Sequence, residues 1–115
     1  MGDSTIDEFL EKVYSEFENC VLSRGVWYKS RFYRNLSKLL EEYGFSKIDC
    51  LSIQSVVCRV CDQLVSEKAK ERRIWFINFE DWKETVLKTI KENLGEWYLE
   101  QIFSDQQTLC SATQK

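Results

Sequence analysis

The amino-acid sequence predicts an all-α fold, a single-domain bundle of four or five helices. Apolar residues recur at intervals of three and four over most of the chain, which is the spacing of one helical face. The 115 residues are 43% hydrophobic and 14% aromatic, which is enough material for one compact core. We assign residues 1–103 to a single helical domain, and residues 104–115, which are polar and lack periodicity, to a flexible tail.

The first helix is predicted from a start signal and a long apolar stripe. Ser4 and Asp7 have the spacing of a capping box, and Gly25 marks the end of the helix. Acidic residues crowd its early turns, where the helix dipole favours them. The stripe comprises Ile6, Phe9, Leu10, Val13, Phe17, Cys20 and Val21.

The second helix is predicted to run from about Tyr28 to Tyr43, and Gly44 supplies its left-handed end. Its apolar stripe comprises Phe32, Tyr33, Leu36, Leu39, Leu40 and Tyr43.

The third helix is predicted from about Cys50 to Arg72, capped by Asp49 or Ser52. Its valine content also permits a strand over residues 55–60, but length and spacing favour a helix. The stripe of the helix comprises Ile53, Val56, Val57, Val60, Cys61, Leu64 and Val65.

Residues 74–77 are four consecutive apolar residues, which suit a buried extended connector or a lone short strand. Asn78 then caps a fourth helix, with Asp81 at the box position. Its face comprises Phe79, Trp82, Val86, Ile90 and Leu94. Gly95 leaves two possibilities. Either the helix crosses it at a cost of about 1 kcal/mol, or a fifth short helix begins near Glu96. We expect Trp82 in the core and Trp75 and Trp97 to be partly exposed.

Several chemistries are excluded or disfavoured by composition. The chain has no histidine, which removes the commonest general base and the commonest metal ligand. It has no phosphate-binding glycine loop and no nucleophile elbow, so we expect no enzyme and no cofactor. The Cys58-x-x-Cys61 spacing lacks a second pair or histidines, so we interpret it as core packing and expect no metal site.

Five cysteines without a recognisable secretory signal indicate reduced thiols, and hence the cytoplasm or the nucleus. No apolar run approaches the 18 residues or so of a membrane span.

Charge is distributed unevenly along the chain. Residues 1–23 hold six acids and one lysine, whereas residues 24–40 hold five cations and no acid. On a helix, Arg31, Arg34 and Lys38 share one face, and Tyr28 can join them from the preceding turn. We predict these four residues as the partner-binding site. Two simpler interpretations stay open: the aromatic residues of this segment face the core while its cations face water, or its cations pair with the acidic first helix.

Two short stretches resemble segments of Bcl-2-type helical proteins. They are Asn93-Leu94-Gly95-Glu96-Trp97 and Cys20-Val21-Leu22; the Asn-Trp-Gly-Arg hallmark of that family is absent. The resemblance implies a regulator of apoptosis that captures amphipathic helices.

The predicted function is a non-catalytic protein-protein interaction module: an adaptor, a complex subunit or a regulator. The Bcl-2-like regulator is the first alternative. The expected partner is another protein, acidic or helical. A nucleic-acid-binding helical domain is the remaining alternative, disfavoured by the net charge of −3.

Overall fold

A computed structural model describes residues 2–21, 27–70 and 77–104, and in these ranges the chain is an all-α single-domain bundle. Within these residues, no helix is long and apolar enough to cross a membrane. The helices are α1 (Gly2–Asn19), α2 (Lys29–Glu42), α3 (Lys47–Lys70), α4 (Phe79–Leu94) and a short α5 (residues 98–104).

The four long helices form an up-and-down ring in which each helix packs against the next and α4 returns to α1. Phe9 contacts Tyr43 and Phe17 contacts Phe32, so α1 and α2 are antiparallel. The Lys29–Asp62 ion pair and the hydrogen bond from Gln54 to the Tyr33 carbonyl show the same relation for α2 and α3. The apolar stripes of the four helices therefore meet in one core.

Burial confirms most of the predicted stripes. In α1, every predicted position from Ile6 to Cys20 is buried, and Val21 is partly buried. In α3, the predicted positions are buried except Leu64, which is half-buried, and the segment that permitted a strand is helical. Trp82 is fully buried at the centre of the bundle. Tyr33 is a correction: it is 44% exposed, because the buried line of α2 runs through Phe32, Leu36 and Leu40.

The start of α3 differs from the prediction. The helix begins at Lys47, three residues before the predicted Cys50, and neither Asp49 nor Ser52 is its cap. The Ser46 hydroxyl accepts a hydrogen bond from the Asp49 amide at 3.1 Å and donates one to the Asp49 carboxylate at 3.0 Å. Ser46 is therefore the N-cap of α3, and Asp49 at the third helical position both donates to its hydroxyl and accepts from it.

The ends of α1 also differ from the prediction. The helix begins at Gly2, so Ser4 lies within the first turn and is not the cap. It ends at Asn19, where Cys20 forms a turn and Val21 makes an isolated antiparallel bridge with Trp27. The predicted end at Gly25, the connector at residues 74–76, Trp75, and residues 105–115 of the predicted tail lie outside the described residues.

The Asn78 cap of α4 is confirmed: its side-chain oxygen accepts a hydrogen bond from the Asp81 amide at 2.9 Å. Gly95 ends α4 with φ of +128° and ψ of 145°, a conformation almost confined to glycine. Of the two possibilities at Gly95, the chain therefore adopts the fifth helix. That helix, α5, buries Leu99 and Phe103 against the end of the bundle that carries Phe9, Tyr43 and Phe45.

Candidate functional site

The four predicted partner-binding residues lie at the surface around α2. Arg31, Arg34 and Lys38 are exposed on the side of the helix opposite its buried line, and together we call them the basic face. Tyr28 is the N-cap residue of α2 and is 44% exposed. The Arg31 guanidinium lies 5.6 Å from the centre of the Tyr28 ring, in the geometry of a cation–π contact.

The backbone that precedes α2 is anchored to two other helices. The Tyr28 amide donates to the Cys20 carbonyl at 2.9 Å, which ties it to the end of α1. The Trp27 indole donates to the Asp62 carboxylate of α3 at 3.2 Å, and the Lys29 ammonium pairs with the same carboxylate at 3.4 Å. These contacts fix where the first turn of α2 presents its side chains.

Two shallow depressions flank this first turn. One is lined by Trp27, Tyr28, Lys29, Ser30, Arg31 and Arg34, and the other by Lys29, Ser30, Tyr33 and Arg34. Three of the four predicted residues therefore share one depression, whereas Lys38 lies further along the basic face. Each depression combines a half-exposed tyrosine ring with cationic side chains.

Sequence reasoning missed Lys29 and Tyr33 as members of this surface. Lys29 is one of the five cations in residues 24–40, but it does not share the helical face of Arg31, Arg34 and Lys38 and is therefore not predicted as a site residue. Tyr33 precedes Leu36 by three residues, which is the spacing of an apolar stripe. Tyrosine is also common at exposed positions, so the spacing does not decide whether Tyr33 is buried. The available signal was the four-residue repeat of Phe32, Leu36 and Leu40, from which Tyr33 is offset by one residue.

Two cations of this surface, Arg31 and Lys29, oppose the rise that burial causes in the pKa of two thiols. Burial raises the pKa of the Cys20 thiol, and the positive charge of Arg31 opposes that shift. Burial likewise raises the pKa of Cys58 to about 11, against the influence of Lys29. Both thiols stay protonated at neutral pH, so they provide no nucleophile beside the basic face.

The acidic first helix does not neutralise the basic face. Its Asp7 pairs with Lys83 of α4 at 3.4 Å, and its Glu16 accepts a hydrogen bond from Asn35 of α2 at 3.0 Å. Within the described ranges, no salt bridge joins an acid of α1 to Arg31, Arg34 or Lys38. Glu41 and Glu42 follow Lys38 on α2, so the basic face ends at the last turn of the helix.

The interpretation of Cys58-x-x-Cys61 as core packing is confirmed, since both side chains are buried. Cys61 accepts a 3.3 Å hydrogen bond from the Trp82 indole. Among the side chains that the structure describes, no group of three metal-ligating residues lies close enough together to hold an ion.

A second exposed surface lies at the end of the bundle where α3 begins and α4 ends. Ile48 is 77% exposed, Leu51 is 55% exposed and Trp97 is 65% exposed, which confirms the exposure expected for Trp97. The Tyr98 hydroxyl donates to the Asp49 carboxylate at 2.5 Å and so holds the turn around Trp97 against the start of α3.

The two stretches that resemble Bcl-2-type proteins are separated in the fold. Residues 93–97 span the end of α4 and the turn before α5, whereas Cys20 and Val21 follow α1. The chain matches no protein-family model, and neither a curated protein nor a solved structure shows significant similarity to it.

Proposed function

We propose that this chain is a non-catalytic protein-interaction module, an adaptor, complex subunit or regulator, that binds an acidic partner protein through the basic face of α2. One observation supports this proposal above the others. Arg31, Arg34 and Lys38 are exposed on one face of a helix and form no ion pair with any described residue. An unpaired row of cations steers acidic partners and accelerates their association.

The helix dipole does not account for the charges at the two ends of α2. The first turn of α2 has no acid and its last turn has no base. Instead, Lys29 and Arg31 stand at its start and Glu41 and Glu42 at its end, opposite to the preference of the helix dipole. Each such charge costs α2 about 0.3–1 kcal/mol at low ionic strength. Lys29 is compensated by its ion pair with Asp62. Arg31 has no such ion pair among the described residues, and a role outside the folded chain explains why the helix carries it.

Tyr28 and Tyr33 add exposed apolar surface beside the cations of the basic face. Tyr28 and Tyr33 are each 44% exposed, on the two sides of Ser30 and Arg34. Aromatic and arginine side chains dominate the energetics of protein interfaces. Tyrosine in particular buries a large area at a low entropy cost, because only two side-chain torsions must be fixed. A partner that presents acidic residues around an apolar side chain would fit this surface.

The exposure of both tyrosines also favours a second candidate, single-stranded nucleic acid. Bases stack on exposed aromatic rings while phosphates contact nearby cations. The net charge of −3 makes this candidate the weaker of the two.

The decisive variant reverses the basic face in the full chain: Arg31→Glu, Arg34→Glu and Lys38→Glu. Two fluorescent probes are titrated, a helical peptide with glutamates at three- and four-residue spacing and a single-stranded oligonucleotide. We expect the acidic peptide to bind the wild-type chain and the variant to bind it at least about 10-fold more weakly, since three pairs of about 0.5 kcal/mol or more are lost. Fluorescence anisotropy over a range of salt concentrations measures both affinities.

A matched control reverses three exposed cations elsewhere: Lys47→Glu, Arg59→Glu and Lys88→Glu. It has the same net charge as the first variant. Its affinity for the acidic peptide should fall only by the amount that the loss of net charge causes, and so by less than in the first variant. Equal weakening in both variants would show that net charge, not the basic face, holds the peptide. Preferential binding of the oligonucleotide, with a steep salt dependence, would establish the second candidate instead.

A further inference from the structure

Helix α5 depends on the bundle for its structure. It spans only residues 98–104, and isolated helices shorter than about 12 residues are marginal in water. Its conformation is therefore maintained by the groove that it occupies at the end of the bundle.

Two apolar anchors and one polar contact hold α5 in that groove. Leu99 and Phe103, four residues apart, are 4% and 5% exposed. The Phe103 ring packs edge-on against Phe9 at 5.5 Å and Phe45 at 5.3 Å between ring centres. The Tyr98 hydroxyl donates to the Asp49 carboxylate of α3. This is the arrangement of an amphipathic helix seated in a groove.

A single backbone conformation directs α5 into its own bundle. Gly95 has φ of +128°, and a Cβ built at this position meets no atom within 4 Å. The requirement for glycine is therefore conformational and not steric. A gap of about 10 Å³ lies beside it, between α4 and α5, lined by side chains that include Leu87, Ile90 and Leu99.

The sequence also suits a straight helix through Gly95. Leu94, Tyr98 and Ile102 continue the four-residue repeat of Trp82, Val86 and Ile90. In the structure Leu94, Tyr98 and Ile102 are only partly buried, because the turn at Gly95 directs Leu99 and Phe103 inward instead. In a straight helix, α5 projects away from its own groove and leaves that groove empty.

We propose that α5 is exchangeable, and that the groove beneath it accepts α5 of a second copy of this chain. The occupant is a second copy because it carries, by identity, the anchors and the tyrosine that the groove already holds. Reciprocal exchange closes a symmetric dimer in which every contact of α5 is kept and only the turn at Gly95 changes.

The conformation of Gly95 sets the balance between the two forms. A short link gives α5 an effective concentration in the millimolar range at its own groove, so the monomer dominates in dilute solution. Alanine at position 95 shifts the balance towards the dimer through two separate effects. It favours the straight helix about 5-fold over glycine, and it strains the bent form by a further factor of about 5 or more.

The test compares Gly95→Ala with Gly44→Ala in the full chain. Gly44 also has positive φ, 77°, and lies outside the link between α4 and α5. It stands between Tyr43 and Phe45, which contact Phe103, so Gly44→Ala controls for backbone strain and for disturbance of the groove itself. Molar mass is measured by light scattering after gel filtration, from micromolar to millimolar protein. Because both chains of the dimer straighten, the factor of about 25 per chain enters twice. We expect Gly95→Ala to form a dimer at concentrations about 600-fold lower than the wild-type chain, and Gly44→Ala to behave as the wild-type chain does.

The identity of the dimer is settled by NMR on a mixture of labelled and unlabelled Gly95→Ala chains. Exchange requires intermolecular contacts between Phe103 and Phe45. A monomeric Gly95→Ala chain, a dimer without those contacts, or equal dimerisation of Gly44→Ala would each overturn the proposal. If Gly95→Ala does not fold, the same measurements on wild-type protein refolded at millimolar concentration decide the question. Among the described residues, the aromatic and hydrogen-bond contacts of α5 involve none of Arg31, Arg34 and Lys38, so the binding test of the basic face is independent of either result.

Discussion

At the scale of single residues, the clearest chemistry belongs to the buried thiols of α3. Burial raises the pKa of Cys58 to about 11 and that of Cys61 to about 12, from an ordinary value of 9.0. The Trp82 indole, which donates to Cys61, offsets part of that shift. Both groups are therefore neutral throughout the physiological range and behave as small apolar side chains.

These shifts predict a loss of stability in alkaline solution. Above pH 9 the unfolded chain releases thiol protons that the folded chain retains, so the free energy of unfolding falls as pH rises towards 11 and 12. Below pH 9 the contribution is complete. Each thiol contributes a slope of about 1.4 kcal/mol per pH unit within its window. Urea unfolding between pH 8 and pH 11 measures the slope.

A variant isolates the contribution of one thiol. Cys58→Ala should reduce the slope between pH 9 and 11 by about 1.4 kcal/mol per pH unit, whatever its effect at pH 8. Tyr14 and Tyr98, whose pKa values are also raised chiefly by burial, keep their share of the slope in this variant. An unchanged slope would show that the Cys58 thiol ionises in the folded chain.

At the scale of elements, the starts of α3 and α4 follow the same design. Each has a capping residue outside the helix and an aspartate three positions later, Ser46 with Asp49 and Asn78 with Asp81. The sequence predicts the cap of α4 correctly. For α3 it places the cap at Asp49 or Ser52, about one turn or more too late, because Asp49 is itself a good capping residue and stands directly before the apolar stripe.

The revised cap of α3 makes a quantitative prediction. Ser46→Ala removes the acceptor of the Asp49 amide and should lower the free energy of unfolding by about 1 kcal/mol. Ser55→Ala is the control, since Ser55 is exposed within the same helix and alanine is the better helix former. Equal effects of the two changes in chemical denaturation would contradict the capping role of Ser46.

At the scale of the whole molecule, four apolar stripes and α5 share one core. Trp82 of α4 stacks near Phe17 of α1 and bonds to Cys61 of α3, and Phe17 packs edge-on against Phe32 of α2. Because these side chains contact one another across all four long helices, a defect in any one helix is transmitted to the whole bundle.

This continuity predicts one cooperative transition. Phe17, Leu36, Val60 and Ile90, one from each long helix, are 0–2% exposed. Truncation of any one of them to alanine should lower the free energy of unfolding by about 2–5 kcal/mol without separating the transition into two. Ile48→Ala, at a side chain that is 77% exposed, should change it by less than about 0.5 kcal/mol. Thermal unfolding followed at several wavelengths tests both statements.

The sequence by itself determined the all-α class, the four long helices and most of the core. A surface helix buries only one face, so its apolar residues recur at intervals of three and four whatever the helix packs against. The stripe that includes Phe9, Val13 and Phe17 shows this spacing. The sequence also identified the cations of the basic face as a group, since charge along a helix follows directly from spacing.

Only the tertiary structure decided which ambiguous side chains face solvent and what surrounds them. Tyr33 is compatible with either face of α2, and its exposure depends on where α3 packs. Lys29 joins the surface beside Tyr28 because Asp62, 33 residues away in sequence, holds it there. Gly95 permitted a straight helix or a bend, and the aromatic contacts of Phe103 with Phe9 and Phe45 stabilise the bend. Local periodicity does not predict the outcome at Tyr33, Lys29 or Gly95, because each outcome depends on contacts between residues far apart along the chain.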